Sequence, residues 1–317
     1  MARLRHGLTG LRLGKRSSQP NASIFETPRD AVCRRRALKE YQLRRSHLLL
    51  VPALVIYGGL FIAAAVYFFV MSFWTVRVMK IVPAFTLQNY EKVISVNIGP
   101  FVNTLVLAFA IAGITTVFGF IYAWIIRFKA GTLADPLLFI ALVTMFGGYL
   151  MKIYAWKTML GGDGAINSAL IAIGIITTPI SALLYSPFAV ILSLSHFLLP
   201  FAILPIYAAL RGISDVEVES ARDLGASSAR VLFDIIIPRA RGGIVSAFGI
   251  SYLLSVGDYL TAQLVGGKMA MYGQLIAPQF GTMFNWPLGA AMSFAALSAS
   301  LSVVAIFYFL LSRVGRT

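Results

Sequence analysis

Six apolar runs, at about 48 to 74, 102 to 126, 134 to 151, 187 to 210, 242 to 265 and 286 to 312, dominate this sequence. A bilayer core about 30 Å thick is crossed by roughly 20 helical residues, because each adds about 1.5 Å along the axis. Every run reaches or approaches that length. Lipid offers no water to backbone N–H and C=O groups, so each run is expected to close its hydrogen bonds internally, as helix. With 58% hydrophobic and 12% charged residues and a mean hydropathy of +0.81, the chain lies outside the soluble range. The expectation is an all-α integral membrane protein with six transmembrane helices. The third run opens with Asp135 and Pro136, which blurs its start, and the fifth contains an acid, Asp258. A shorter stretch, INSALIAIGII at 166 to 176, lies between GGDG and TTP and suits a short interfacial or re-entrant helix.

The basic residues set a direction across the bilayer. Twelve of the 27 lysines and arginines precede residue 48. With the N-terminus inside, the inner loops and C-terminus add Arg127, Lys129, Arg211, Arg222, Arg230, Arg239, Arg241, Arg313 and Arg316. That is 21 inside against six outside, namely Arg77, Lys80, Lys92, Lys152, Lys157 and Lys268. By the positive-inside rule both termini belong in the cytoplasm, with 1–47 a basic cytoplasmic tail and 48–317 the membrane domain. The formal charge of +15 therefore calls for no nucleic-acid partner. The tail is not a secretory signal, since the apolar run after it is about twice the length of an h-region and no A-x-A-like site closes it.

Little in the chain suggests an enzyme. One cysteine, Cys33, allows no intramolecular disulfide, and His6, His47 and His196 lack metal-ligand spacing. Paired carboxylates at a shared depth are missing too. No internal repeat is visible, which weakens the case for a secondary transporter acting alone, as does the scarcity of ionisable residues within the runs.

The segment between the fourth and fifth runs breaks the apolar pattern. Asp215, Glu217, Glu219, Asp223 and Asp234 alternate there with Arg222, Arg230 and Arg239. Ser214 and Glu217 have the S-x-x-E spacing of a capping box, so a short helix is expected to begin there. Val216, Ser220 and Leu224 give it a small apolar face. Gly225 can end it in the left-handed conformation; a second helix then starts near Ser227 or Ser228 and meets Pro238, which disfavours continuation. A helix lying on anionic lipid would carry basic residues on its polar face, whereas mixed charge suits a protein partner.

These residues resemble a family. Glu219, Ala221, Gly225, Ile235, Ile237 and Pro238 have the spacing of the EAA loop, E-A-A-x-x-x-G-x9-I-x-L-P, of the membrane subunits of binding-protein-dependent ABC importers, with Ser220 and Ile237 as conservative departures. GDYLTAQLVGG at 257 to 267, YAWKTMLGGDGAINSAL at 154 to 170 and LLYSPFAVILSLSHFLLPFAILPIYAAL at 183 to 210 are similar to spermidine/putrescine-type permeases. Lys152 stands near where that family often shows an arginine. The resemblance implies a bacterial inner-membrane subunit working with a second related permease, a periplasmic solute-binding protein and a cytoplasmic ATPase dimer. ATP and Mg would be held by that ATPase and no cofactor by this chain, which contains no G-x-x-x-x-G-K-[ST] motif. The loop would be the coupling element docked on the ATPase.

Within the runs, Asp258 is the residue whose placement needs a reason. An ionised carboxylate in a span costs on the order of 2.5–3.5 kcal/mol, so it is expected to face the bundle interior or a water-filled cavity. It would attract a cationic solute, or else pair with Lys152 or Lys268, or bind backbone amides freed beside Gly257. Tyr154, Trp156, Tyr252 and Tyr259 are candidates for cation–π contacts, with an interfacial aromatic belt as the alternative. His196 is expected as a packing partner, and Pro200 with Pro205 as a kink. Relatives carry other cargo, including opines, amino-acid derivatives and ferric iron, which the sequence does not separate from polyamines.

Overall fold

The computed structural model describes residues 51–52, 54–78, 80–267, 269 and 271–313. The basic tail at 1–47, the start of the first apolar run and Lys268 lie outside them. The chain divides into two units, Met1–Ala65 and Val66–Thr317. The described part of the first is apolar helix, wound as π helix at Leu54–Gly58 before α1 begins.

Helices and one hairpin follow in order. Helix α1 (Gly59–Met71) leads to an antiparallel pair, β1 (Thr75–Arg77) and β2 (Lys80–Val82), joined through Val78 at φ 46°. Helices α2 (Gln88–Ser95) and α3 (Ile98–Phe128) come next, then α4 (Ala134–Phe146), α5 (Tyr149–Leu160) and α6 (Ala165–Ala172). Helix α7 (Pro187–Arg211) precedes the short α8 (Asp215–Asp223) and α9 (Ser228–Val231). The chain ends with α10 (Ile237–Gly257), α11 (Leu260–Val265), α12 (Tyr272–Phe280) and α13 (Trp286–Arg313).

Three of these, α3, α7 and α10, pack on one another and form the core of the second unit. Their approach depends on small residues. A Cβ on Gly119 of α3 would lie 3.0 Å from the Ala202 Cβ of α7, and one on Gly243 of α10 only 2.5 Å from the Pro205 carbonyl oxygen. Without a hydrophobic force between helices in lipid, such contact surfaces supply the packing energy. The outer face is apolar as well, with Val106, Phe118, Phe139, Leu301 and Phe309 all exposed. That distribution is suited to lipid rather than water.

The described helices depart from the six expected spans in identifiable ways. Among the described residues three helices, α3, α7 and α13, are long and apolar enough to cross a membrane unbroken. The expected third span is broken: the pieces Gly131–Phe146 and Tyr149–Ala172 meet at 94°, because Gly147 and Gly148 are extended rather than helical. The expected fifth span ends at Gly257, since Asp258 is extended (ψ 128°), and α11 is a separate turn of helix. The remainder, α10, is diluted by Arg239, Arg241 and several glycines and serines, and α3, α7 and α13 cover it in place of lipid. Apolar runs do not register such breaks, because glycine and one aspartate hardly change the hydropathy of a window. The short helix expected over 166 to 176 is present as α6, and α7 continues through Pro200 and Pro205 without interruption.

Replacing Gly243 with Leu should separate α10 from α7, as no side chain can occupy the space held by the Pro205 carbonyl and the Ala209 methyl. We expect loss of the monodisperse peak in detergent size-exclusion chromatography. Gly242→Leu, where a Cβ would meet nothing within 4 Å, should keep it.

Candidate functional site

Two regions carry the residues singled out from the sequence. The first is the charged segment between α7 and α10. Ser214 caps α8 by accepting the Glu217 amide at 3.2 Å, as the S-x-x-E spacing predicts, but the Glu217 carboxylate turns away to Arg239 at 3.1 Å. The helix ends in a Schellman turn: Gly225 takes φ +83°, its amide bonds the Arg222 carbonyl at 2.8 Å, and the Ala226 amide reaches back to Ala221 at 3.0 Å. Glycine is required there for its backbone, because a Cβ at Gly225 would meet nothing within 4 Å.

Ser227 then caps α9 by accepting the Arg230 amide at 3.3 Å. Pro238 does not stop the helix that follows. The chain winds a π turn over Leu232–Ile236, in which the Ile237 amide bonds the Leu232 carbonyl, and Pro238 falls in the first turn of α10, where a missing amide costs little. The apolar positions of α8 also divide differently from the expected face. Val218 is buried and Ala221 packs on the core, whereas Val216 and Leu224 are 69% and 89% exposed. Ile237 joins the core from α10, Ile235 is half-buried in the π turn, and Glu219 is exposed. Glu219 lines a polar recess of about 610 Å³ together with Arg127, Lys129, Asp215 and Arg222.

The second region is the break at Asp258. One carboxylate oxygen accepts the Thr261 amide at 2.9 Å; the other accepts the Thr261 hydroxyl at 3.1 Å and the hydroxyl of Tyr149 from α5. Tyr149 and Thr261 are themselves 2.9 Å apart. Two hydroxyl protons serve three oxygen contacts, so with both directed at an ionised Asp258 the carboxylate is held by charge-assisted bonds. Of the partners considered from the sequence, a freed backbone amide, that of Thr261, is observed among the described residues, from which Lys268 is missing. Lys152 is engaged elsewhere: its Nζ donates to the Thr144 carbonyl at the end of α4 and lies 5.5 Å from the centre of the Phe197 ring.

Asp258, Tyr149, Phe197, Gly257 and Tyr259 line a cavity of about 360 Å³, within the range of small-molecule sites. A neighbouring cavity of about 370 Å³ shares Leu253, Gly257 and Tyr259 with it. Tyr259 is thus on the wall of both. Tyr154 is exposed on α5 and lines neither, and Trp156 donates its indole N–H to His196 Nδ1 at 3.2 Å, joining α5 to α7. Tyr252 is fully buried, stacked at 5.7 Å on Phe248, and lines neither cavity. Sequence reasoning missed Tyr149, 109 positions from Asp258, and Thr261, whose D-x-x-T spacing was a legible signal.

No family model matches the chain. Over 89% of its length the fold is similar, at TM-score 0.63 and 15% identity, to a chain of the bacterial alginate ABC transporter solved in complex with an alginate pentasaccharide-bound periplasmic protein; 98% of that chain is covered. In sequence it is 32% identical over 232 residues to the spermidine/putrescine transport system permease protein PotB of Salmonella typhimurium, covering 73% of this chain and 80% of the relative. Identity to PotB of Escherichia coli K12 is also 32%, over 84% of that protein. The Escherichia coli inner membrane ABC transporter permease protein YdcU is 26% identical over 84% of this chain and 89% of its own. The chain belongs to the family of ABC transporter permeases that includes PotB, and its several apolar helices are those of a multi-pass membrane protein.

Asp258→Ala removes the acceptor of the Thr261 amide, while Asp258→Asn keeps one oxygen there. We expect the alanine variant to melt earlier in detergent, by a difference corresponding to about 1–3 kcal/mol, with asparagine in between. Equal midpoints for wild type and Asp258→Ala would show that the carboxylate does not hold the break.

Proposed function

We propose that the chain is the membrane-spanning permease subunit of an ATP-driven importer for polyamines such as putrescine and spermidine. The similarity to the PotB permeases over most of the chain carries this reading. The bundle would count six spans with both termini cytoplasmic, the broken α4 with α5 serving as one and α10 as another. The basic residues, 21 inside against six outside, support that orientation. A periplasmic binding protein would deliver the solute, and a second related permease would complete the pathway.

In this reading α8 docks on a cytoplasmic ATPase dimer, which holds ATP and Mg. Its exposed Val216 and Leu224, set among Glu219, Arg222 and Asp223, support a protein partner, because apolar side chains among charges of both signs match a groove better than a lipid surface. Asp258 and Tyr259 would meet the solute as it passes: a carboxylate and an aromatic face at one cavity attract an ammonium group. Tyr154 and Trp156, away from that cavity, would act at an outer stage or only in packing.

The test is uptake of labelled putrescine and spermidine by the native cell with and without the gene, while the binding protein and ATPase are still produced. We expect uptake to be lost, restored by the wild-type chain, and restored poorly by Asp258→Asn at equal membrane abundance. Unchanged uptake in a strain without a redundant polyamine system would move the cargo to another cationic metabolite. A separate expectation concerns Gly225→Val, which forces a β-branched residue into the left-handed region at a cost of about 1–2 kcal/mol. ATPase stimulation by solute-loaded binding protein should fall, and wild-type stimulation would count against the docking role of α8.

A further inference from the structure

Two ion pairs tie α8 to two different long helices, and they are unequal. Arg127, in the last turn of α3, donates through Nη2 both to the Ile213 carbonyl at 2.9 Å and to the Asp215 carboxylate at 2.9 Å. Its side chain is only 20% exposed, and its guanidinium lies 4.8 Å from the centre of the Phe128 ring. Arg239, in the first turn of α10, meets Glu217 at 3.1 Å with its own side chain 62% exposed.

Resting on the docking role of α8, we propose that Arg127 is the positioning residue that makes α3 follow α8 when the ATPase moves. Helix α8 is also held in place by apolar packing. Its inward contacts are Val218 and Ala221, and apolar contacts of this kind are non-directional, so they resist removal of the helix more than sliding along its seat. A guanidinium that bonds the chain just before the cap, at Ile213, and the first helical residue, Asp215, fixes both position and register. Asp215 also lies in the first turn of α8, where an acidic side chain stabilises the helix through its dipole. Arg239 meets Glu217 through a single contact from a side chain 62% exposed, so that link contributes less than the two bonds of Arg127, although Asp215 at 66% is more exposed than Glu217 at 37%. Motion of α8 would therefore pass mainly to α3, which packs on α7 and α10 and so reaches the rest of the core.

The experiment uses the complete transporter, reconstituted with its ATPase and binding protein, and reads the ratio of solute moved to ATP hydrolysed. Arg127→Ala should lower that ratio about tenfold while the ATPase stays bound, because the carbonyl of buried Ile213 and the Asp215 carboxylate lose their common donor. Arg127→Lys should recover it only in part, since a compact, more strongly hydrated ammonium is held less firmly beside the Phe128 ring than a guanidinium. Arg239→Ala should change it less than about twofold. An unchanged ratio in Arg127→Ala, or equal losses in Arg127→Ala and Arg239→Ala, overturns the inference. Should Arg127→Ala fail to assemble, Asp215→Asn removes the charge at the same shape, and a wild-type ratio there overturns it equally. Failure of the wild-type chain to retain the ATPase removes the docking role itself, whereas a coupled wild type that is indifferent to Arg127 removes this inference alone.

Discussion

A helix that breaks inside a bilayer must close its backbone hydrogen bonds with protein groups, and the site near Asp258 depends on how two breaks are closed. After Phe146 the turn of Gly147 and Gly148 leaves α4 carbonyls open, and Lys152 donates to one of them, at Thr144. After Gly257 the chain extends, and Asp258 accepts the Thr261 amide in the first turn of α11. An unsatisfied backbone group in hydrocarbon costs several kcal/mol, so polar side chains are kept at these positions despite the cost of burying them. Lys152 and Asp258 thereby serve different breaks.

The breaks also give the site its shape. Bending α5 away from α4 brings Tyr149 beside α11, where its hydroxyl reaches Asp258, and Phe197 of α7 packs on the Tyr149 ring at 4.9 Å. The cavity next to Asp258 exists because three chain segments meet at an interruption, a place where irregular backbone is tolerated when it lines a cavity.

At the other end of the bundle the logic is local rather than tertiary. Ser214, Gly225 and Ser227 each satisfy or terminate a helix by the bond their residue type predicts, so the two-helix form of this segment was legible from spacing. Pro238 was misleading, because a π turn delivers it to the first turn of α10, where proline is tolerated. Val216 and Leu224 were assigned to a single apolar face without regard to which side the core would take, and Val218 with Ala221 took it instead.

Composition by itself determined that the chain is helical and suited to lipid, since long apolar runs have no other way to satisfy their backbone there. Spacing of small, polar and acidic residues determined the helix caps and the family resemblance. Tertiary structure alone decided which helices are continuous, which partner Asp258 receives and which arginine holds α8. The physical reason is distance along the chain: Tyr149 and Asp258 are 109 residues apart, and Arg127 and Ile213 are 86 apart. Local pattern carries no record of contacts that form only when α3, α5 and α7 have packed.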